Sequence, residues 1–345
     1  MSERKLLVVG SSGIHTFNTI DLIKDYFSDV FLITDKEYDG FKDVKHKIFN
    51  FSFSNPLNAL LLPHKINRTI RSFKPDFIII LQVDTGAFST IMANTKKIPT
   101  LVIAFGSDVL TVPQKGFFYN QLVKFVLKRG KYFNTGTRFA AQRMNELAGR
   151  DLNVLVANSG FEPGCKPMEK QNIIYSNRLH KPLYRIAQIV EAFARFVKNG
   201  REDWKLVIGA TGDEDNLRKR AKELGIEDKV EFIGWVEKET NNHYYSISKI
   251  WVSIPESDNT PISLLEAMAG GCIPIMSDLA ANREWVEDGK NGIIVSDYSS
   301  NYIERALGLD YDFLVRYNID LMEREGTKDA NRKKFYSIFD KEFGR

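Results

Sequence analysis

The 345 residues, 43% apolar and 27% charged, suit a folded soluble protein too long for one ordinary core and about right for two α/β domains. The longest apolar runs, 57–62 and 77–83, fall far short of a membrane span, and the opening residues run into a strand pattern at Lys5 rather than into a leader. The net charge of +4 is uneven, since residues 1–165 hold 21 Lys and Arg against 14 Asp and Glu (+7) and the remainder 27 against 30 (−3), so the basic front half suggests an anionic partner or surface.

Residues 5–9 form a largely apolar run of the kind found in buried parallel strands. Gly10-Ser11-Ser12-Gly13 follows, then a helical pattern carried by Ile14, Phe17, Ile20, Ile23 and Phe27 to about residue 28, and a second strand at 30–34. The chain therefore opens as a βαβ unit with a glycine turn at its first switch. The Gly-x-x-Gly spacing lacks the middle glycine of the dinucleotide fingerprint, so the turn is read either as a ligand loop containing Gly13 or as a tight turn with no ligand. Strands are expected at 47–51, 77–81, 100–105 and 132–134, and helices near 57–73, 85–96, 117–129 and 137–147. Such alternation predicts a mostly parallel sheet covered on both faces, with ligands held by the loops after the strand C-termini. His15, Asp84 and Gly106-Ser107-Asp108 fall in such loops.

Residues 114–131 hold Lys115, Lys124, Lys128, Arg129 and Lys131 among Phe117, Phe118, Tyr119 and Phe125, with no acid. A helix of this kind can lie on an anionic membrane through Lys124, Lys128 and Arg129, or it can be a core helix with a solvated basic face. Two glycines and two prolines in Gly160-Phe161-Glu162-Pro163-Gly164-Cys165-Lys166-Pro167 disfavour either regular element and predict a linker. It would separate a first domain, 1–163, from a second, 168–325. The second series places strands at 171–175, 204–208 and 230–233 and helices at 182–197 and 216–224, so two doubly wound domains are expected to face each other across a cleft. The charged helical tail, 326–345, is expected to cross back onto the first domain. Cys165 and Cys272 lie far apart in sequence, which predicts a reducing cytoplasm with no disulfide and no metal cluster.

The stretch 251–295 concentrates the chemistry. An apolar strand ends at Pro255, and Glu256-Ser257-Asp258-Asn259-Thr260 leads to Pro261 and a helix whose Leu264, Leu265 and Met268 would face a core before Gly270-Gly271 ends it. Thr260 is the expected cap and Pro261 the first-turn proline. A helix start beside a strand end offers unpaired N–H groups and a positive dipole end to an anion, so a phosphate is the natural guest. Glu266, in the second turn, would suit a pair of sugar hydroxyls.

Asn177-Arg178-Leu179, Glu191-Ala192-Phe193, Trp204 to Gly209, Val230-Glu231-Phe232-Ile233-Gly234-Trp235-Val236, the run from Ser263 to Pro274 and Asn282-Arg283-Glu284-Trp285 occur in this order. Together they resemble the nucleotide-sugar domain of the retaining glycosyltransferases of family 4, which have the two-domain GT-B fold. The resemblance covers 171–296 closely, and the first half more loosely through Ile14-His15-Thr16, Lys74-Pro75-Asp76 and Phe105-Gly106-Ser107-Asp108. The family's signature is a pair of glutamates separated by seven residues. Here the second is Glu266, and Asp258 stands at the first position, so either the sugar sits closer to the loop or Glu256 shares the role.

The resemblance implies that Glu266 binds the ribose hydroxyls and Asp258 the donor sugar, with Asn259, Thr260, Pro261 and Ile262 lining the loop and helix start. It implies that an arginine and a lysine a few residues apart hold the diphosphate. Arg178 fits the first, and Arg185, expected in the first helical turn, or Lys181 fits the second. These cations and the helix terminus would stabilise a departing nucleoside diphosphate, and no Asp-x-Asp pair stands where it could bridge phosphates, so metal independence is expected. Gly234 and Trp235 match the place where backbone grips the base. Retention in this family is explained by attack from the leaving-group face, with a phosphate oxygen taking the acceptor's proton, which requires no protein nucleophile. His15 and Asp108 are candidates for contacts to the donor sugar, or else structural loop residues. His46, His64, His180 and His243 show no metal-ligand spacing.

The expected protein is a cytoplasmic glycosyltransferase with no nucleic-acid partner, peripheral to the membrane if the basic helix lies on it. It would move a hexose or N-acetylhexosamine from a nucleotide sugar, a UDP-sugar before others, to a glycan or lipid-linked saccharide in cell-surface polysaccharide synthesis. The alternatives are a nucleotide-sugar epimerase or hydrolase of the same fold and a non-catalytic nucleotide- or glycan-binding module.

Overall fold

A computed structural model describes residues 3–344. The chain forms two compact units, one built from residues up to 159 together with 331 onward, the other from 160–330.

In the first unit, β1 (Lys5–Val9), β2 (Asp29–Thr34), β3 (Lys45–Ile48), β4 (Phe77–Leu81), β5 (Thr100–Ala104), β6 (Tyr132–Thr135) and β7 (Leu155–Val156) pair in the order β3-β2-β1-β4-β5-β6-β7. Every pairing is parallel. Residues that alternate along a strand enter cores on opposite faces: Leu7, Val9, Ile78, Ile80 and Val102 on one, Leu6, Val8, Phe77, Ile79 and Leu101 on the other. Burial on both faces explains why these strands read as unbroken apolar runs. The C-terminal helix Lys328–Phe343 contributes Phe335, Ile338 and Phe339 to the second of these cores. Phe339 is fully buried, with its ring 5.0 Å from Phe27 and 5.2 Å from Phe77, and Tyr26 donates to Asp340 at 2.7 Å.

In the second unit, β8 (Gln171–Ser176), β9 (Lys205–Gly209), β10 (Val230–Gly234), β11 (Ser248–Ser253), β12 (Ile273–Ser277) and β13 (Ile293–Val295) pair in the order β10-β9-β8-β11-β12-β13, again all parallel. Ile174, Leu206, Ile250, Val252 and Ile275 point into one core, and Ile173, Tyr175, Val207, Trp251 and Met276 into the other.

Several local expectations are corrected. The third strand lies at Lys45–Ile48 rather than 47–51, and the first helix stops at Ile23, with a short 3-10 turn to Tyr26. The stretch 160–167 belongs to the second unit: Phe161 is buried, its amide donates to the Gly326 carbonyl at 3.0 Å, and Glu162 pairs with Lys328 and Lys238. Its glycines and prolines set an irregular path along a packed surface rather than a free connector. The expected 182–197 helix is interrupted at Arg185, whose φ of 53° is left-handed, so a 3-10 turn Pro182–Tyr184 precedes the helix Ile186–Lys198. A helix absent from the expectations, Lys238–Ile247, joins β10 to β11. Cys165 and Cys272 are free and buried. Among the described residues, no helix is long and apolar enough to cross a membrane.

Candidate functional site

The strand order of the second unit reverses between β8 and β11, and in an open parallel sheet the crevice outside the strand C-termini at such a reversal is where ligands sit. The loop after β8 carries Asn177, Arg178 and Lys181, and the loop after β11 carries Glu256, Asp258, Asn259 and Thr260. The two are tied by the Glu256 amide, which donates to the Leu183 carbonyl at 2.9 Å. Arg178 donates to the Asp258 carboxylate at 2.6 Å and to Ser263 Oγ at 3.1 Å, and its guanidinium lies 4.5 Å from the centre of the Tyr184 ring. Asp258 also accepts from the Asn259 amide at 2.9 Å. Burial pushes the Asp258 carboxyl up, while Arg178 and the Asn259 amide pull it back.

Arg185 is the residue before the helix rather than a member of its first turn. Its guanidinium donates to the Tyr298 hydroxyl at 2.8 Å and the Ile254 carbonyl at 3.3 Å, and lies 3.5 Å from a Glu256 carboxylate oxygen. Lys181 is exposed and has no ion-pair partner among the described residues. Of the three candidates for the two diphosphate cations, Arg178 and Arg185 are thus held in fixed orientations, and Lys181, the alternative to Arg185, stands in solvent.

The helix that follows is Ile262–Ala269, and its cap is Pro261, with no side-chain cap bond. Thr260, expected to cap it, instead accepts from the Trp285 indole at 3.2 Å. A capping side chain must accept from the first-turn amides, and proline has no side-chain acceptor, so the cap residue itself makes no such bond. Leu264, Leu265 and Met268 face the core, as the 3.6-residue period requires, and Gly271 leaves the helix with φ of 79°. Glu266, on the opposite stripe, is part-buried. Burial pushes its carboxyl up, and the nearby Tyr245 hydroxyl and the charge of Lys238 pull it back.

Beneath Glu266 lies a group of polar side chains that the sequence reading did not single out for chemistry. Trp251 Nε1 donates to Asn177 Oδ1 at 3.0 Å. Asn177 Nδ2 donates to the Tyr245 hydroxyl at 2.7 Å and to Asn241 Oδ1 at 2.9 Å. Asn241 Oδ1 also accepts from the Tyr175 hydroxyl at 2.6 Å, and Asn241 Nδ2 donates to the Val236 carbonyl at 3.1 Å. Trp251, Tyr175 and Tyr245 are fully buried.

The loop after β10 is close to the strand end: a Cβ on Gly209 would meet a Val236 methyl at 2.7 Å, and Gly234 turns the chain with φ of 67°. Trp235 is 66% exposed, with its indole nitrogen donating to Glu237 at 3.2 Å.

The remaining candidates belong to the first unit. Gly13 has φ of 141° at the start of the helix Ile14–Ile23, with open space where a Cβ would stand. His15 is exposed in the first turn of that helix and its ring centre lies 5.2 Å from Phe105. Asp108, read as either a donor-sugar contact or a structural loop residue, is turned inward and 1% exposed. Its carboxylate accepts the amides of Val83 at 2.8 Å, Gly106 at 2.9 Å and Phe105 at 3.3 Å, so it fastens the loops after β4 and β5 together and has no surface to offer a ligand. Asp84 caps the helix Thr85–Ala93 through the Ala87 amide, and burial pushes its carboxyl up to about 6. In the basic helix Phe117–Arg129, Leu122, Val123, Val126 and Leu127 are buried, whereas Phe117 is 80% exposed and Phe118, Tyr119, Lys128 and Arg129 also face solvent. Phe53, Phe88, Phe118, Lys124 and Arg129 are among the residues lining a groove of about 400 Å³ beside it. No group of three His, Cys, Asp or Glu side chains among the described residues is placed to hold a metal ion.

Residues 161–308 match the family described as Glycosyl transferases group 1, and residues 5–137 match Glycosyl transferase 4-like. A lipopolysaccharide core biosynthesis glycosyltransferase of Rhizobium meliloti is 30% identical over 280 residues, which is 76% of this chain and 73% of that protein. A glycosyltransferase of Haemophilus influenzae is 34% identical over 141 residues, 39% of this chain, and there the match spans only 37% of the relative's length. In fold, the crystal structure of Anabaena HepE in complex with UDP superposes with a TM-score of 0.82 at 13% identity, covering 98% of this chain and 100% of that one.

Proposed function

We propose, because the chain belongs to family 4 of the GT-B glycosyltransferases, that it transfers a hexose or N-acetylhexosamine from a nucleoside diphosphate sugar, UDP before other nucleotides, to a hydroxyl of a glycan or lipid-linked saccharide. The observation that carries this reading is the meeting of Arg178, Asp258 and Ser263 at the strand-order reversal, beside a helix start whose cap residue is Pro261 and with Glu266 in the next turn. A diphosphate bears the charge such a place favours, and a leaving diphosphate gains stabilisation from each fixed donor as the glycosidic bond breaks. Glu266 takes the ribose hydroxyls, Gly234 and Trp235 the base. Arg178 and Arg185, with Lys181 as a solvent-facing third cation, supply the positive charge, so transfer proceeds without a divalent metal and should persist in excess chelator. Retention follows from attack on the leaving-group face, where the departing phosphate oxygen accepts the acceptor's proton. The name of the Rhizobium meliloti relative supports an acceptor in cell-surface polysaccharide synthesis, and the UDP of the Anabaena complex supports a uridine donor.

The test is incubation with UDP-hexoses and UDP-N-acetylhexosamines in the presence of mixed oligosaccharide acceptors. A product heavier by one sugar residue is expected. Free sugar or an isomerised donor would point to a hydrolase or epimerase, and tight binding without turnover to a binding module.

A basic helix with exposed Phe117, Phe118 and Tyr119 also fits an anionic membrane surface, where aromatic side chains enter the headgroup boundary and Lys124, Lys128 and Arg129 meet lipid charge. Sedimentation with vesicles rich in anionic lipid is expected for the natural chain and should be abolished when these three become Glu. Failure of the natural chain to sediment overturns the membrane reading and leaves the transferase reading intact.

A further inference from the structure

The groove of about 400 Å³ beside the helix Phe117–Arg129 has an ordered floor. Phe53 meets Phe88 edge-on with ring centres 5.9 Å apart, Phe88 meets Phe125 at 4.7 Å, and the Arg129 guanidinium lies 3.8 Å from the centre of the Phe125 ring. The row of rings thus ends on a cation. Lys124 and Lys128 add their charges to the lining, which among the described residues contains no acid and only Gln121 as a neutral polar side chain. A peptide laid along the rings would find only Gln121 to satisfy the amides turned toward them, whereas a hydrocarbon chain brings no amides, and an anion at its end would meet the cations. The groove also opens on exposed apolar surface. Phe118 belongs to its wall and is 56% exposed, next to Phe117 at 80%. Leu57, Leu60 and Leu61, at helical spacing in the first turns of the helix Pro56–Phe73, are exposed as well. Asn58 in the same turns donates to the Ser52 carbonyl at 2.8 Å, which holds that helix start against the chain leading into Phe53.

We propose that this groove seats one hydrocarbon chain of a phosphate-bearing membrane lipid, with the phosphate at the end where Arg129 covers Phe125 and Lys124 and Lys128 stand one turn apart. The inference rests on the reading of this face as membrane-facing and adds a defined site to it. A bilayer surface needs only exposed aromatic side chains and charge, whereas a groove with a floor selects a chain by its length. Apolar area removed from water along the rings supplies the affinity, and the cations fix which end of the chain lies where. The first unit would then distinguish a lipid phosphate from a neutral amphiphile of equal chain length.

Calorimetric titration of the whole chain with butyl, hexyl, octyl and decyl phosphate, each below its micelle concentration, tests this. Affinity should rise about two- to fourfold for each added methylene, the scale of burying one against an apolar surface, and level off once the groove is full. Octyl phosphate should bind at least about tenfold more tightly than octanol, the scale of hydrogen bonds made to a charged group. Gln121 is exposed, so its replacement leaves the core intact. Gln121→Trp places an indole in the groove and keeps the cations, so it should flatten the chain-length series while sedimentation with anionic vesicles persists. Gln121→Glu sets a negative charge among the cations and should weaken every alkyl phosphate alike. Affinity that does not depend on chain length, a series that Gln121→Trp leaves unchanged, or octanol binding as tightly as octyl phosphate would each overturn the groove as a lipid seat and leave the membrane reading standing. Failure of the natural chain to sediment with anionic vesicles overturns the membrane reading, and this proposal with it.

Discussion

Glu266→Ala is expected to lower transfer at least about a hundredfold, the scale on which mutants lacking a group that holds a reactant's charge or geometry are found. The loss should fall first on donor affinity, since the carboxylate contacts the ribose rather than the anomeric carbon. Glu266→Gln keeps the size and one acceptor oxygen and should lose less. The pH dependence separates the two changes. Burial holds the Glu266 carboxyl above the ordinary range, so as pH falls it takes up a proton earlier than an exposed glutamate and loses an acceptor. Donor kcat/KM of the natural chain should therefore fall on the acid side, and Glu266→Gln should remove that part of the fall. Asp258, also held up by burial, keeps its own share, so the difference between the two profiles belongs to Glu266. Near-normal transfer by Glu266→Ala at subsaturating donor would rule out the ribose contact.

The sheets were legible because their strands are buried on both sides: runs such as Phe77–Leu81 and Lys5–Val9 admit little else, and the turns between them carry glycine or proline. Arg178 and Glu266 were legible through motifs at strand ends. The helix Lys238–Ile247 was not. Its sequence, KETNNHYYSI, buries only Tyr245, Ser246 and Ile247, so no apolar stripe announces it. Asn241 and Tyr245 went with it, and the order of bonds beneath Glu266 cannot be read without knowing that this helix packs against β8 and β11. Asp108 was left open between a sugar contact and a structural role for the opposite reason. A polar residue after a strand marks a loop that ligands could use, but whether its carboxylate turns out to solvent or in to the Val83, Phe105 and Gly106 amides depends on the path of two loops. Arg185 shows the same limit, since nothing in its local sequence announces the left-handed residue that moves it out of the helix.

Arg178→Ala is expected to depress transfer at least about a hundredfold, and here the loss should reach kcat as well as donor KM, because charge on the diphosphate grows as the sugar departs. The planar guanidinium does more than supply charge. It is held by stacking on Tyr184 at 4.5 Å and by bonds to Asp258 and Ser263, so its remaining N–H groups are aimed before any ligand arrives. Arg178→Lys keeps the charge without the fork and should recover only part of the rate. Removing the arginine also strands the part-buried Asp258 carboxylate, which should cost about 1–3 kcal/mol of stability at neutral pH. That cost should shrink as pH falls and Asp258 protonates, whereas the loss of transfer should not. Thermal unfolding across pH, measured beside transfer for the same variant, separates the two. Recovery of transfer wherever stability recovers would mean that Arg178 only scaffolds the loop, and a near-natural rate in Arg178→Ala at neutral pH would remove the diphosphate from this site.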